Sequence, residues 1–140
     1  MLIEIDHHVG IPIYRQIIGQ VRREIMTDGL SEGDRLEAVR DLAARLKVNP
    51  MTISKAYSFL EAEGLVERKR GVGLFVIKVK ESKKDRIKGQ LLSDVVDKAA
   101  STAIQLGVSE KEALELLKEA YRAYDSQKDR GEAEGKRRGK

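Results

Sequence analysis

The 140-residue sequence contains no cysteine. Disulfide staples and cysteine-held zinc are therefore excluded, and a reducing cytosol suits the chain. It has no uninterrupted run of about 18 apolar residues, the minimum for a membrane span, and Asp6 interrupts the apolar start before a secretory leader can develop. A soluble, cytoplasmic protein is expected. A catalytic constellation is missing too: there are no paired carboxylates in contrasting settings, no nucleophile beside a base and no phosphate-cradling loop between strand and helix. Neither an enzyme nor a cofactor is expected. His7 and His8 are adjacent, point to different sides of a strand and lack further ligands at metal spacing, so they read as surface polar residues. Charge, by contrast, is abundant but nearly balanced: 27 basic against 23 acidic residues leave a net +4, which is weak grounds by itself for a nucleic-acid partner.

This length suits a compact module of about 75 residues plus a smaller appendage. Leu2, Ile3 and Ile5 form a short β-prone stretch. Pro12 then stands where it can open a helix whose apolar residues Ile13, Ile17, Ile18, Val21 and Ile25 recur at helical spacing, with Gly29 placed to stop it. Gly33 and Asp34 mark a turn. Val39, Leu42, Ala43 and Leu46 predict a short second helix. Asn49 caps a third, with Pro50 at its first position, Ile53, Ala56, Tyr57 and Leu60 on its buried stripe, and Gly64 at its end. Past Gly64 the rhythm changes to two β-like runs, Leu65–Lys69 and Leu74–Ile77, joined by a tip containing Arg70, Gly71 and Gly73.

Three helices followed by a hairpin, with a tight turn between the second and third, describe a winged helix-turn-helix whose third helix enters the DNA major groove. Asn49, Met51, Thr52, Ser54 and Lys55 lie at or near the exposed start of that helix, where backbone N–H groups also favour phosphate. Thr52 can offer a methyl to thymine or a hydroxyl to phosphate, and Arg40 can fork onto a guanine edge or clamp a phosphate. Arg70 and Gly71 sit at a wing tip that can reach the minor groove.

From Ile11 to Val76, about half the chain, the sequence closely resembles the DNA-binding domain of the GntR family of bacterial regulators. The residues that carry the resemblance include Gly33, Leu36, Arg40, Leu42, Ala43, Leu46, Val48, Thr52, Ala56, Leu60, Gly64, Gly71 and Gly73. It implies that Arg40 reads or clamps DNA, that Asn49, Met51, Thr52 and Ser54 are contact positions, and that Arg70 and Gly71 form the wing tip. Asn49-Pro50-Met51 looks like the YtrA-type branch, which implies a short helical tail and a link to ABC transporter operons. One departure stands out. Glu37 and Ala38 replace the family's usual Pro and small residue, often Ser. This removes an N-cap hydroxyl, at about 1 kcal/mol, and sets a negative charge near the DNA path.

The second half begins with a charged linker, Lys78–Lys88, running into a helix with Ile87, Leu91, Leu92, Val95, Val96, Ala99, Ala103, Ile104 and Leu106 on its stripe and Gly107 at its end. Ser109 and Glu112 have capping-box spacing for a last helix carrying Leu114, Leu117, Ala120, Tyr121 and Tyr124. The large effector domains that usually follow a GntR reader cannot fit here. Two amphipathic helices cannot cover both their stripes alone, so a homodimer through residues 84–125 is expected, with two recognition helices facing a pseudo-palindromic operator. A small-molecule effector between the helices needs a pocket of about 300 Å³. Tyr57, Tyr121 and Tyr124 read as packing groups. The fold expectation is mainly α with a small β-hairpin: a winged helix-turn-helix over 1–78, a two-helix dimerisation segment over 79–127 and a disordered tail over 128–140, in which KRRGK is either solvated or adds nonspecific DNA attraction. The functional expectation is a sequence-specific repressor. The competing reading is a sequence-nonspecific architectural or replication-associated DNA-binding protein.

Overall fold

In the computed structural model of the chain, residues 2–138 are described, with side chains through residue 131. The elements are α1 (Ile13–Met26), α2 (Val39–Leu46), α3 (Pro50–Glu63), β1 (Val66–Lys69), β2 (Gly73–Val76), α4 (Glu81–Gln105) and α5 (Glu110–Arg138). They form two compact units, the first ending at Leu91 and the second beginning at Leu92.

In the first unit α3 packs against both α1 and α2. The helical stripes meet in one core: Ile17, Val21 and Ile25 from α1, Leu42 and Ala43 from α2, and Ile53, Ala56, Tyr57 and Leu60 from α3. Leu65, Val66, Leu74 and Val76 close it from the hairpin. β1 and β2 pair antiparallel from Val66 opposite Val76 to Lys69 opposite Gly73.

Several local expectations change. Pro12 is the N-cap of α1 rather than its first helical residue, and its carbonyl accepts from the Arg15 and Gln16 N–H groups at 3.0 and 3.2 Å. The helix stops at Met26, three residues before Gly29. The β-prone Leu2–Ile5 stretch makes no strand. Its backbone is held instead by glutamine side chains of α1: Gln16 bonds both the N–H and carbonyl of Asp6, at 2.9 and 2.8 Å, and Gln20 does the same to Glu4. A primary amide offers donor and acceptor together, so it replaces a neighbouring strand, and Ile3 is buried beneath. The Gly33–Asp34 turn runs into a third edge on the hairpin. Gly33 and Leu36 donate to the carbonyls of Val76 and Leu74, Val76 donates back to Asp34, each at 2.8 Å, and Arg35 bridges Phe75.

The linker expected over Lys78–Lys88 is short, because α4 starts at Glu81. Val79 and Ile87 enter the first core, so this unit reaches well past residue 78. Gly64, at φ 79°, ends α3 in the left-handed conformation, and the Lys83 ammonium donates to the Glu63 carbonyl there. Arg22 of α1 adds a hydrogen bond to Gln90 at 3.1 Å and lies 3.0 Å from a Glu63 carboxylate oxygen, near enough for an ion pair though out of line for a hydrogen bond.

In the second unit the Ser109 hydroxyl caps α5 by accepting from the Glu112 N–H at 3.2 Å. The helix continues through Arg138, so 128–138 is helical where a disordered tail was expected; residues 139–140 of that tail lie outside the described residues. Low apolar content signalled disorder, but the Lys, Arg, Glu and Ala of this segment are good helix formers and no proline intervenes, the glycines Gly131 and Gly135 being accommodated within the helix.

Among the described residues, Tyr57 is an ionisable side chain that lies in this core. Its hydroxyl donates to the Glu37 carbonyl at 2.7 Å, and burial, reinforced by the Glu37 charge, raises its pKa above the ordinary 10.0, with Arg45 opposing. A raised folded-state pKa means its stabilising contribution is complete below pH 10 and disappears as pH climbs toward the folded value. Tyr57→Phe should lower stability by about 1 kcal/mol at neutral pH. It should also flatten the loss of stability above pH 10, as followed by urea unfolding; an unchanged alkaline limb would contradict this role.

Candidate nucleic-acid interface

The approach to the interface is built from a tight turn. Lys47, at φ 57°, caps α2 in the left-handed conformation, and Val48 donates to the Ala43 carbonyl at 3.0 Å, so only residues 47–49 separate α2 from α3. Asn49 begins α3 by accepting the Met51 N–H on its side-chain oxygen at 2.9 Å. That commits the acceptor end of the amide and leaves its NH₂ as the group available to another molecule. Ala38, at the N-cap of α2, makes no such bond. The hydroxyl missing from the sequence is not replaced by another side-chain cap.

Of the residues singled out in the sequence, Arg40 is the second residue of α2 and is exposed. Met51, Ser54 and Lys55 are exposed along the first turns of α3, Met51 at 76%, whereas Thr52 is half-buried. Arg70 and Gly71 are exposed at the hairpin tip, where Gly71 has φ 76° and Val72 closes the turn onto the Lys69 carbonyl at 2.9 Å. The Lys69 ammonium lies 4.6 Å from the centre of the Phe75 ring. His7 and His8 are both exposed.

Charge pairing separates these cations from their neighbours. Arg22 is paired with Glu63, Arg45 with Glu37 and Arg68 with Glu61. Among the described residues no carboxylate lies within ion-pair distance of Arg40, Lys55 or Arg70. Their charge is thus available to phosphate. The Glu37 carboxylate, whose place near the DNA path suggested a local penalty, receives both Nη2 and Nε of Arg45, at 2.8 and 3.3 Å. Arg45 also donates to the Ile3 carbonyl at 3.2 Å, which ties the N-terminal stretch to the same pair.

Two features escaped the sequence reading. Arg35 lies along the hairpin edge, its Nε only 2.8 Å from where a Cβ on Gly73 would stand, so a side chain at Gly73 would make the arginine shift. A one-residue bridge with a single buried neighbour, Leu36, leaves no periodic signal. The second is an aromatic and cationic cluster of Tyr14, Phe59, Lys55 and Arg15 joining α1 to α3. Tyr14 was invisible as a partner of α3 because Lys55 and Phe59 lie some forty positions away.

A buried three-helix core, a capped helix with a free leading edge and a glycine-tipped hairpin define a winged helix-turn-helix of the DNA-binding class. Residues 13–76 match the profile of bacterial regulatory proteins, gntR family. The chain is 37% identical over 107 residues to the uncharacterized HTH-type transcriptional regulator YhcF of Bacillus subtilis (strain 168), an alignment spanning 76% of this chain and 88% of that relative. It is 39% identical over 101 residues to the HTH-type transcriptional repressor YtrA of the same organism, spanning 69% and 78% respectively. A GntR family transcriptional regulator from Listeria monocytogenes shares the fold with a TM-score of 0.68 at 29% identity, covering 82% of this chain and 98% of that one. The chain belongs to the gntR family and is a DNA-binding transcriptional regulator, with YtrA among its relatives.

The Glu37–Arg45 pair generates a specific expectation. Arg45→Ala should weaken DNA binding severalfold at low salt by exposing the Glu37 charge, and the double variant with Glu37→Gln should recover most of the loss. Equal affinity for wild type and Arg45→Ala in a fluorescence-anisotropy titration would remove the shielding role.

Proposed function

We propose that the protein is a repressor that binds a pseudo-palindromic operator as a homodimer, with α3 of each copy in the major groove and the hairpin tips on the flanking minor groove. The observation that carries this reading is the set of exposed cations without carboxylate partners, Arg40, Lys55 and Arg70, at the start of α2, along α3 and at the hairpin tip. Arg40 would fork onto a guanine edge or a phosphate, Met51 and the Thr52 methyl would meet apolar base surface, and the Asn49 NH₂ and Ser54 hydroxyl would donate to nearby acceptors. Arg70 with Gly71 would follow the wing into the minor groove.

Support for the homodimer comes from α4 and α5. Leu92, Val95, Ile104, Leu106, Leu116, Leu117 and Tyr124 are all more than half exposed in the single chain, with Ile104 at 78%. Apolar stripes of that extent on two helices favour self-association, and residues 84–125 would supply it. A second copy would bring two α3 helices to half-sites about one helical turn apart. Repression is the reading favoured by the relative YtrA, which is itself named a repressor. The resemblance to the YtrA-type branch makes an ABC transporter operon the target to examine first. Among the described residues no helix is long and apolar enough to cross a membrane, and a cytoplasmic site of action follows from the DNA target.

Arg40→Ala and Thr52→Ala should each lower affinity for a duplex selected from random sequence by roughly ten- to a hundredfold, while binding to scrambled DNA falls less. Sedimentation should give a mass near twice the 15.7 kDa chain. Equal affinity for selected and scrambled duplexes would support a sequence-nonspecific architectural protein instead, and a monomer on DNA would overturn the dimer.

A further inference from the structure

We propose that Tyr14 is a positioning residue for DNA binding: its ring, backed by Phe59, holds the Lys55 ammonium beside α3 as a fixed contact for a backbone phosphate. The inference rests on the DNA-reading assignment of α3 and adds a part to it that lies on another helix.

The geometry has three components. The Lys55 Nζ lies 4.0 Å from the centre of the Tyr14 ring, within cation–π range. Phe59, one turn further along α3 than Lys55, stacks on the same ring at 5.8 Å between centroids and 24° between planes. Phe59 is nevertheless 51% exposed, so this stack is an outer feature and not part of the core. On the tyrosine's polar end the Arg15 Nε donates to the hydroxyl at 3.3 Å, which adds a second cation at the edge of the cluster.

The chemical consequence concerns entropy and competition. A lysine on an exposed helix face samples many rotamers, and ordering it onto a phosphate costs that freedom at the moment of binding. An aromatic face confines the ammonium beforehand but satisfies none of its three N–H donors with a strong acceptor, so the charge stays ready for a phosphate oxygen. A carboxylate in the same place would hold the lysine and cancel its charge. Among the described residues, that is what happens to Arg22, Arg45 and Arg68, whereas Lys55 is held by a ring. Tyr14 stands in the first turn of α1 and is anchored by the packing of α1 on α3, so the confinement follows the recognition helix itself.

The test uses the full chain and a duplex that it selects from random sequence, with affinity measured across a salt series. Lys55→Ala should reduce the slope of log affinity against log salt by about 0.9, the loss of one phosphate contact. Tyr14→Leu should lower low-salt affinity by roughly two- to fivefold, and Tyr14→Phe, which keeps the ring, should stay near wild type. Combining Tyr14→Leu with Lys55→Ala should cost no more than Lys55→Ala alone. In spectra of the free protein, the Lys55 side-chain methylene protons should be shifted upfield by the ring in wild type and Tyr14→Phe and return to ordinary positions in Tyr14→Leu. That signature separates positioning from a general loss of fold, which thermal melting also reports. An unchanged salt slope in Lys55→Ala, or a Tyr14→Leu loss that adds fully to that of Lys55→Ala, overturns the proposal while leaving the DNA-reading assignment intact. Failure of the wild-type chain to bind any duplex would overturn both.

Discussion

The reader depends on a single division of labour along α3. Ile53, Ala56, Tyr57 and Leu60 are buried almost completely, and every other element of the first unit packs against that face or against something that does. Because the stripe repeats every three to four residues, it fixes the helix rotation, and the opposite face must then point outward. Exposure of Met51, Ser54, Lys55 and Phe59 is thus the necessary complement of the core. The N-terminus is set with equal economy. Asn49 caps it, and the Tyr57 hydroxyl, one helical stripe away, bonds the Glu37 carbonyl just ahead of α2. One buried phenol therefore ties the recognition helix to the segment that presents Arg40.

On that frame, charge is distributed by pairing more than by number. The net +4 is too small an excess to make the whole molecule a polyelectrolyte. Within the reader, three arginines are neutralised by carboxylates, whereas Arg40, Lys55 and Arg70, like Arg15, Arg23 and Lys47, have no carboxylate partner among the described residues. Glu63, Glu37 and Glu61 occupy Arg22, Arg45 and Arg68, and exposed pairs of this kind contribute little to stability. Their effect is better described as local: they cancel charge where helices and hairpin are joined. Cations at the start of α2, along α3 and at the hairpin tip are left with theirs. The Glu37 carboxylate ahead of α2 does not stand as a bare charge, because Arg45, two turns along α2, meets it with two donors.

Much of this was legible in the sequence because it is local. The bounds of α2, the Asn49 cap, the Gly64 stop and the Ser109 cap follow from periodicity and from residues whose chemistry acts within four positions, and the structure places each where those signals put it. What the sequence concealed is side-chain chemistry acting across distance. Gln16 and Gln20 are ordinary helix formers until they are found substituting for a β-strand beside residues 4 and 6. Lys83 reads as part of a charged linker, yet it caps the end of α3 from another helix. Ile87 reads as the start of a separate stripe, yet it completes the first core. The candidate site divides the same way: the exposure of Arg40 and the Asn49 cap follow from local position, whereas the contact of Tyr14 with Lys55 depends on the packing of α1 on α3.

The placement of Ile87 bears on how the two halves of the chain are used. α4 begins inside the reader, where Val79, Ile87 and the Arg22–Gln90 bond secure it, and it runs without interruption to Gln105. A flexible linker would let a dimer hold two readers at variable spacing, at the cost of effective concentration on DNA. Here residues 81–91 of α4 are counted with the reader, and Ile87 belongs to its core. On the proposed dimer, the stripe from Leu92 to Leu106 would be covered by its counterpart in the second copy.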